Sequence, residues 1–451
     1  MREKRVSLSD HFTYKKIFHQ VITPILMMMF ISIYGMVDGL FVSNFDGEAA
    51  LAGINLIFPI IMIVGGLGFM FGSGGSALTA KLLGEKKREE ACQVFTMIVM
   101  VTVICGIVLS VAGFFLIEPI AVAMGKITEG TTQEMVDKAI VYGCILMCGQ
   151  TLYMIQNLFQ NFFAVDEKQN IGFFFTLAAG ITNIALDALF IVVFRMGIIG
   201  AAIGTLLGFG VASIGPIIYF FVNKNGLITF VRTNIRIKPV LQSCLNGLSD
   251  FIFNISASVV GVVFNIQLLK YFGQDGVNIY GVIMYLSFVF VAIFIGYSIG
   301  MGPVIAYNYG AKNHDELKNV LKKSWLLLAI TSLAMFILSC ALARILSGFF
   351  LGDNVALVSK TAYAMRIYSI SFLMAGFCIF TTSTFTALNN GVVSGLISIF
   401  RTLIFQIITV FLLPLILQTG EGIWWAPTVS ELLSILLCVL MLLTNRKKYN
   451  Y

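Results

Sequence analysis

The chain has 451 residues, of which 58% are hydrophobic and only 11% charged, with a formal net charge of +7. Soluble domains carry about 25% charged residues, so a chain this poor in charge cannot cover a water-facing surface. The apolar runs are about 20 residues or longer, which points to an all-α integral membrane protein; barrel strands would be about 10 residues long and alternating.

The first 20 residues are polar and basic. They lack a short apolar core followed by a small-residue cleavage site, so no cleaved signal peptide is expected. Twelve spans are predicted, at about 17–42, 52–80, 92–118, 137–163, 170–194, 198–222, 241–270, 277–307, 324–346, 361–387, 392–418 and 423–444. Most exceed the roughly 20 residues a crossing needs, which predicts tilting or extension beyond the bilayer.

Taken in order, the first span carries Asp38 late in "SIYGMVDGLFVSN". The second ends in "GSGGS", 72–76, which lacks the Gly-Lys-Ser/Thr of a phosphate loop and reads as close helix packing. The lack of that motif also argues against transport powered by the chain's own ATP hydrolysis. Cys144 and Cys148 share a face of the fourth span with no histidine nearby, and the eight cysteines are scattered singly, as small apolar filler. His11, His19 and His314 fall at segment edges, so neither a metal enzyme nor a cofactor is expected. The fifth span holds Asn183 and Asp187 in "ITNIALDALF", and Thr205 stands at the outer end of the sixth. Asp250 in the seventh span, nearer its cytoplasmic end, and Glu431 in the twelfth are secondary candidate acids. Arg366 and Arg401, in the tenth and eleventh, could pair acids or bind an anionic group.

Basic residues alternate with the loops. Arg2, Lys4, Arg5, Lys15 and Lys16 precede the first span. Lys86, Lys87 and Arg88 follow the second, Lys168 the fourth, Lys224, Arg232, Arg236 and Lys238 the sixth. Lys312, Lys318, Lys322 and Lys323 follow the eighth, and Arg446, Lys447 and Lys448 the twelfth. The opposite loops hold few, which places both termini in the cytoplasm of a plasma (inner) membrane protein. The positive charge thus reflects topology and is no footprint of nucleic acid.

The chain also repeats itself. Gly68-Phe-Met-Phe-Gly72-Ser-Gly74 matches Gly296-Tyr-Ser-Ile-Gly300-Met-Gly302, and a shift of 223 residues pairs Phe162 with Phe385, Ala164 with Ala387, Gly197 with Gly420 and Thr205 with Thr428. Each half has six spans, so both start on the same side and are related by an axis along the membrane normal. The expected organisation is an N-lobe over 1–222, a cytoplasmic linker over 223–240 and a C-lobe over 241–451. Two matched lobes about a central axis are a transporter plan, with sites near the midplane.

Asn183 and Asp187 share a helix face because they are four residues apart. Asp38 and Asp187 both fall in the outer half of their spans, so with Asn183 and Thr205 they can converge in the N-lobe. Two carboxylates close together in a low dielectric repel when both are ionised, so the site can take and release a proton. Its hydroxyl, amide and carboxylate oxygens also suit a hard cation such as Na⁺. An internally bonded structural cluster is the alternative, but intramembrane acids are functional by default. The 40 Phe and 20 Met mostly face lipid or core; any that line a cavity would form a soft wall for flat apolar substrates.

The segments "YGMVDGLFVSNFDGEAALAGINL", "TNIALDALFIV" and "GIIGAAIGT" resemble those of the MATE (multidrug and toxic compound extrusion) family, and the resemblance extends over nearly the whole chain. It implies twelve helices in two pseudo-symmetric six-helix lobes. It also implies an antiporter that expels amphipathic, mostly cationic drugs and dyes in exchange for H⁺ or Na⁺. In the N-lobe-coupled bacterial branch the first-helix Asp corresponds to Asp38, the fifth-helix Asn and Asp to Asn183 and Asp187, and the sixth-helix Thr to Thr205. The branch with a C-lobe acid has a Glu midway along the seventh helix, where this chain reads "NISASVVGVV"; Asp250 comes earlier. The main rival is a flippase of lipid-linked oligosaccharides or cell-wall precursors in the same superfamily, which would need a cation-lined cavity. A channel or receptor fits two matched lobes poorly, and a membrane enzyme lacks a nucleophile–base set. The expected state is a monomer.

Overall fold

The computed structural model describes residues 6–127, 131–352 and 354–451; Arg2, Lys4 and Arg5 lie outside them. The first half contains α1 (Tyr14–Phe45), α2 (Glu48–Gly84), α3 (Arg88–Ile127), α4 (Gln133–Cys148), α5 (Gln150–Val165), α6 (Gln169–Asp187) and α7 (Ile198–Val222). The second contains α8 (Ile237–Gly310), α9 (His314–Leu351), α10 (Val355–Ser369), α11 (Phe372–Ala387), α12 (Gly391–Ile399), α13 (Phe405–Leu417) and α14 (Gly422–Tyr449). Two π-helical turns, Ala188–Val193 and Phe400–Ile404, continue α6 and join α12 to α13. Within a bilayer every backbone polar group must be satisfied internally, and helices do this segment by segment. Their outer faces carry exposed apolar side chains such as Phe115, Phe221, Ile337 and Leu415, which is the surface lipid requires.

Among the described residues nine helices are long and apolar enough to cross a membrane, and two bent pairs, α4–α5 at 58° and α10–α11 at 47°, each form one more. The helix α8 is two spans, because Gly273 breaks it with φ 62° and ψ −153°, a region open essentially to glycine alone. The twelve expected spans are thereby accounted for, with three changes of detail. The fourth and tenth are broken rather than straight, and the expected loop after the seventh is a single-residue kink.

Residues 8–12, the segment 223–236, the described basic loops and Tyr449 share one end of the bundle, called here the basic end. There the halves pack tightly. A β-carbon on Gly74 would strike the Ser243 carbonyl, and one on Gly247 the Met70 carbonyl. Gly84 and Gly310 press against the backbone of Tyr307 and Lys81 in the same way. The "GSGGS" stretch therefore packs helix on helix, backbone to backbone. Toward the opposite end Gly35, Gly261 and Gly281 meet nothing within 4 Å, and Phe58, Tyr285 and Phe288 are exposed. The halves therefore meet backbone to backbone at the basic end, and the positions named toward the other end have no such close described neighbour.

Two segments without a place in the span pattern tie the basic end together. Leu8 and Phe12 are buried ahead of α1. The Leu8 N–H donates to Glu167 Oε1 at 2.7 Å, and the Phe12 N–H to Glu316 Oε1 at 2.8 Å. His11 Nδ1 lies 2.6 Å from Glu316 Oε2, and Asn319 donates to Glu316 Oε1 at 2.7 Å. Beyond α7, Asp166 Oδ1 accepts from the N–H groups of Leu227 at 2.6 Å and Ile228 at 3.1 Å. Burial pushes the Asp166 carboxyl up from its ordinary range, against the pull of those two donors.

Candidate functional site

The close approach of α6 to α7 positions the main site. Gly200, Gly204 and Gly208 form a glycine path along α7, and β-carbons there would meet Phe190, Asp187 and Asn183 respectively. Because Gly204 has no side chain, α7 can lie against the Asp187 carboxylate. Asn183 Nδ2 donates to Thr205 Oγ1 at 3.4 Å. Asn183 and Asp187 are 3% and 0% exposed. The π-helical turn begins immediately after Asp187; such turns widen a helix and recur at functional sites.

From α1, Asp38 brings its carboxyl beside that of Asp187. Both Asp187 oxygens, Asp38 Oδ1 and Asn183 Oδ1 are buried without a donor among the described residues. Four unsatisfied acceptor oxygens side by side are costly unless a positive charge joins them. One shared proton satisfies a carboxyl pair, and a hard monovalent cation would use the same oxygens. Among the described residues no group of three or more His, Cys, Asp or Glu side chains is arranged to hold a metal ion.

Three neighbours escaped the sequence reading. Tyr142 of α4 stands close to both acids and near Thr205. Tyr34, one turn before Asp38 on α1, lies near Gln156 of α5. Gly204 touches Asp187 directly. A tyrosine in an apolar run has many uses, so Tyr142 and Tyr34 gave no signal beyond their spacing. The glycine spacing of "GIIGAAIGTLLG" was the available clue to the α6–α7 contact.

The structure brings Asp38, Asn183, Asp187 and Thr205 together and leaves the two secondary acids elsewhere. Asp250 sits in the seam at the basic end, near Ser73 of α2. Glu431 is held by Arg401, whose Nε donates to Oε1 at 3.0 Å and Oε2 at 3.1 Å while Nη2 donates to Oε1 at 2.7 Å. Arg401 therefore pairs an acid, one of the two roles foreseen for it. Arg366 is exposed in the last turn of α10.

A family model described as MatE matches residues 24–189 and 251–412. The multidrug export protein MepA of Staphylococcus saprophyticus is 25% identical over 437 residues, covering 96% of this chain and 94% of the relative. Solved structures share the fold. An outward-facing multidrug resistance MATE family transporter of the MOP superfamily superposes with a TM-score of 0.89 at 21% identity, covering 99% of this chain and 98% of the other. A MOP superfamily transporter from Pyrococcus furiosus, described as having a binding pocket of reversed polarity, does so at 0.89 and 21%, covering 99% of each.

Proposed function

The chain belongs to the MatE family, whose model spans both halves of it, and we propose that within that family it is a cation-driven exporter of amphipathic, mostly cationic drugs and dyes. It is a multi-pass membrane protein and a secondary transporter, not an enzyme. The observation that carries the proposal is the Asp38–Asp187 pair, whose buried oxygens Asp38 Oδ1, Asp187 Oδ1 and Asp187 Oδ2 have no donor among the described residues. The positive-inside rule makes the basic end cytoplasmic and the opposite end external, in a plasma membrane. The MepA name of the staphylococcal relative supports drugs as cargo.

The cycle follows from the charge balance. Facing outward, the pair takes H⁺ or Na⁺, which satisfies its oxygens and favours release of a cationic substrate into the cleft. Facing inward, it loses the cation and the protein accepts substrate from the cytoplasm or inner leaflet. The cation shifts the conformational equilibrium only by its differential affinity for the two states. One charge crossing 100 mV supplies about 2.3 kcal/mol, enough for roughly a fifty-fold gradient of a neutral substrate at tenfold per 1.4 kcal/mol. The flippase reading needs buried cations free to hold a pyrophosphate, and Arg401 is committed to Glu431. The transporter acts as a monomer, since each chain carries its own pair and cleft.

Ethidium efflux from pump-deficient cells tests this reading, with wild type, Asp38→Asn and Asp187→Asn compared with and without Na⁺ and with a protonophore. Wild type is expected to lower dye accumulation, and each variant to abolish the effect. Unimpaired, protonophore-sensitive efflux by both variants would sink the coupling assignment. Loss of efflux on Na⁺ removal alone selects sodium.

A further inference from the structure

The polar side chains of α5 are not accounted for by the acidic pair. Gln156 and Gln160 are 3% and 5% exposed, yet among the described residues neither amide oxygen has a hydrogen-bond partner, nor has Asn157 Nδ2. Native interiors satisfy such groups with protein or with ordered water. Gln156 and Gln160 lie one turn apart on one face of the helix.

Their surroundings give the row a direction. At one end Gln156 lies near Tyr34, which in turn stands near Asp38. At the other end lie two narrow adjoining gaps, the first of about 10 Å³, room for at most one water, and the second too tight for any. The first is lined by Gln156, Gln160, Thr176 and Pro216, and the second by Gln160, Gln169, Pro24 and Met27. Gln169 opens α6 at the basic end, with its Nε2 buried and without a partner among the described residues. The series Asp38, Tyr34, Gln156, Gln160, Gln169 thus runs through residues of the first half from the acidic pair to the basic end.

We propose that this amide row is the inner branch of the cation route: the coupling cation leaves the acidic pair for the basic end through the hydrated interior of the first lobe, while substrate uses the cleft. This rests on the export reading above. Amide oxygens and the waters they order can solvate Na⁺ step by step, or hold a hydrogen-bonded water file along which a proton is passed. Phe163 borders both gaps and keeps them narrow. The branch is therefore shut in this conformation, as exchange without leak requires.

The test compares Gln156→Leu, Gln160→Leu and Gln160→Asn with wild type as full-length protein in proteoliposomes. Three quantities are read: cation-driven ethidium efflux, ethidium counterflow without a cation gradient, and hydroxyl-radical footprinting by X-ray radiolysis at Met27 and Phe163. Those two side chains are 3% and 2% exposed, so they are modified only by radicals made from buried water. The leucine variants are expected to cut driven efflux about tenfold, keep counterflow within about twofold, and weaken both footprints at least about threefold. Gln160→Asn should keep all three readouts near wild type. Wild-type efflux in both leucine variants, a matching loss of counterflow, or unlabelled Met27 and Phe163 in wild type overturns the proposal. If wild type moves no ethidium, the export reading fails, and the footprints still decide whether the row is hydrated.

Discussion

Replacing Arg401 by methionine removes the fixed cation beside Glu431 while keeping most of the side-chain length. The two side chains are 8% and 6% exposed and share three contacts of 3.0, 3.1 and 2.7 Å. Neither solvent nor another described ion pair can take over the orphaned carboxylate. Breaking such a buried pair from one side costs about 3–5 kcal/mol, whereas replacing both members by well-packed apolar groups is often neutral or stabilising. Arg401→Met is therefore expected to lose roughly 3 kcal/mol or more, and Arg401→Met/Glu431→Met to recover nearly all of it. Thermal unfolding in detergent, followed by the fluorescence of Trp424 and Trp425 in the first turn of the same helix, reads the difference directly. A single variant within about 1 kcal/mol of wild type, or a double variant no better than the single, would contradict this, because removing Arg401 alone leaves a buried charge uncompensated and removing both does not. Ethidium efflux by the double variant should stay close to wild type, because the pair lies apart from the acidic site.

Further outcomes follow from the same contacts. Gly204→Ala puts a methyl group into Asp187 Oδ1, so it should cost about 1–3 kcal/mol by overpacking and abolish driven efflux, while Gly210→Ala, with open space around it, should do neither. Asp166→Ala strips the Leu227 and Ile228 amides of their acceptor, and a loss of about 1–3 kcal/mol is expected in urea or thermal melts. Burial raises the folded-state pKa of Asp166, so its titration favours the fold below the unfolded value and that contribution is lost as pH rises through the folded value. Any advantage of Asp166→Asn over wild type should accordingly shrink on acidification through that window; a gap that widens would contradict the sign. Glu316→Ala should speed hydrogen exchange at the Phe12 amide at least about tenfold, measured by mass spectrometry of the N-terminal peptide, because that amide loses its only described acceptor.

The spans were legible because a bilayer leaves so few options: a run of about 20 apolar residues has to be a helix. The meeting of Asp38 with Asp187 could also be read, since orientation fixes depth and four-residue spacing fixes the face. What could not be read depends on partners far apart in the chain. The bend at Gly149 is set by Leu206 of α7, whose side chain occupies the space a β-carbon would need. Glu431 looked like a candidate acid because hydropathy alone does not reveal that Arg401, thirty residues earlier, reaches it. The N-terminal segment carried no period at all, and its place is fixed by Glu167 and Glu316 from opposite halves. Helix faces repeat in sequence; pairings between helices do not.

The seam at the basic end has a wider consequence. Where Gly74 meets Ser243 and Gly247 meets Met70, the closure is made by main chain on main chain. Such a closure has no side-chain chemistry with which to prefer one cargo over another. Drift in the residues that line the cleft can then alter which compounds are carried without retuning the door that shuts behind them. Variation in substrate range among natural or selected variants should accumulate along the cleft walls, and these glycines should stay untouched.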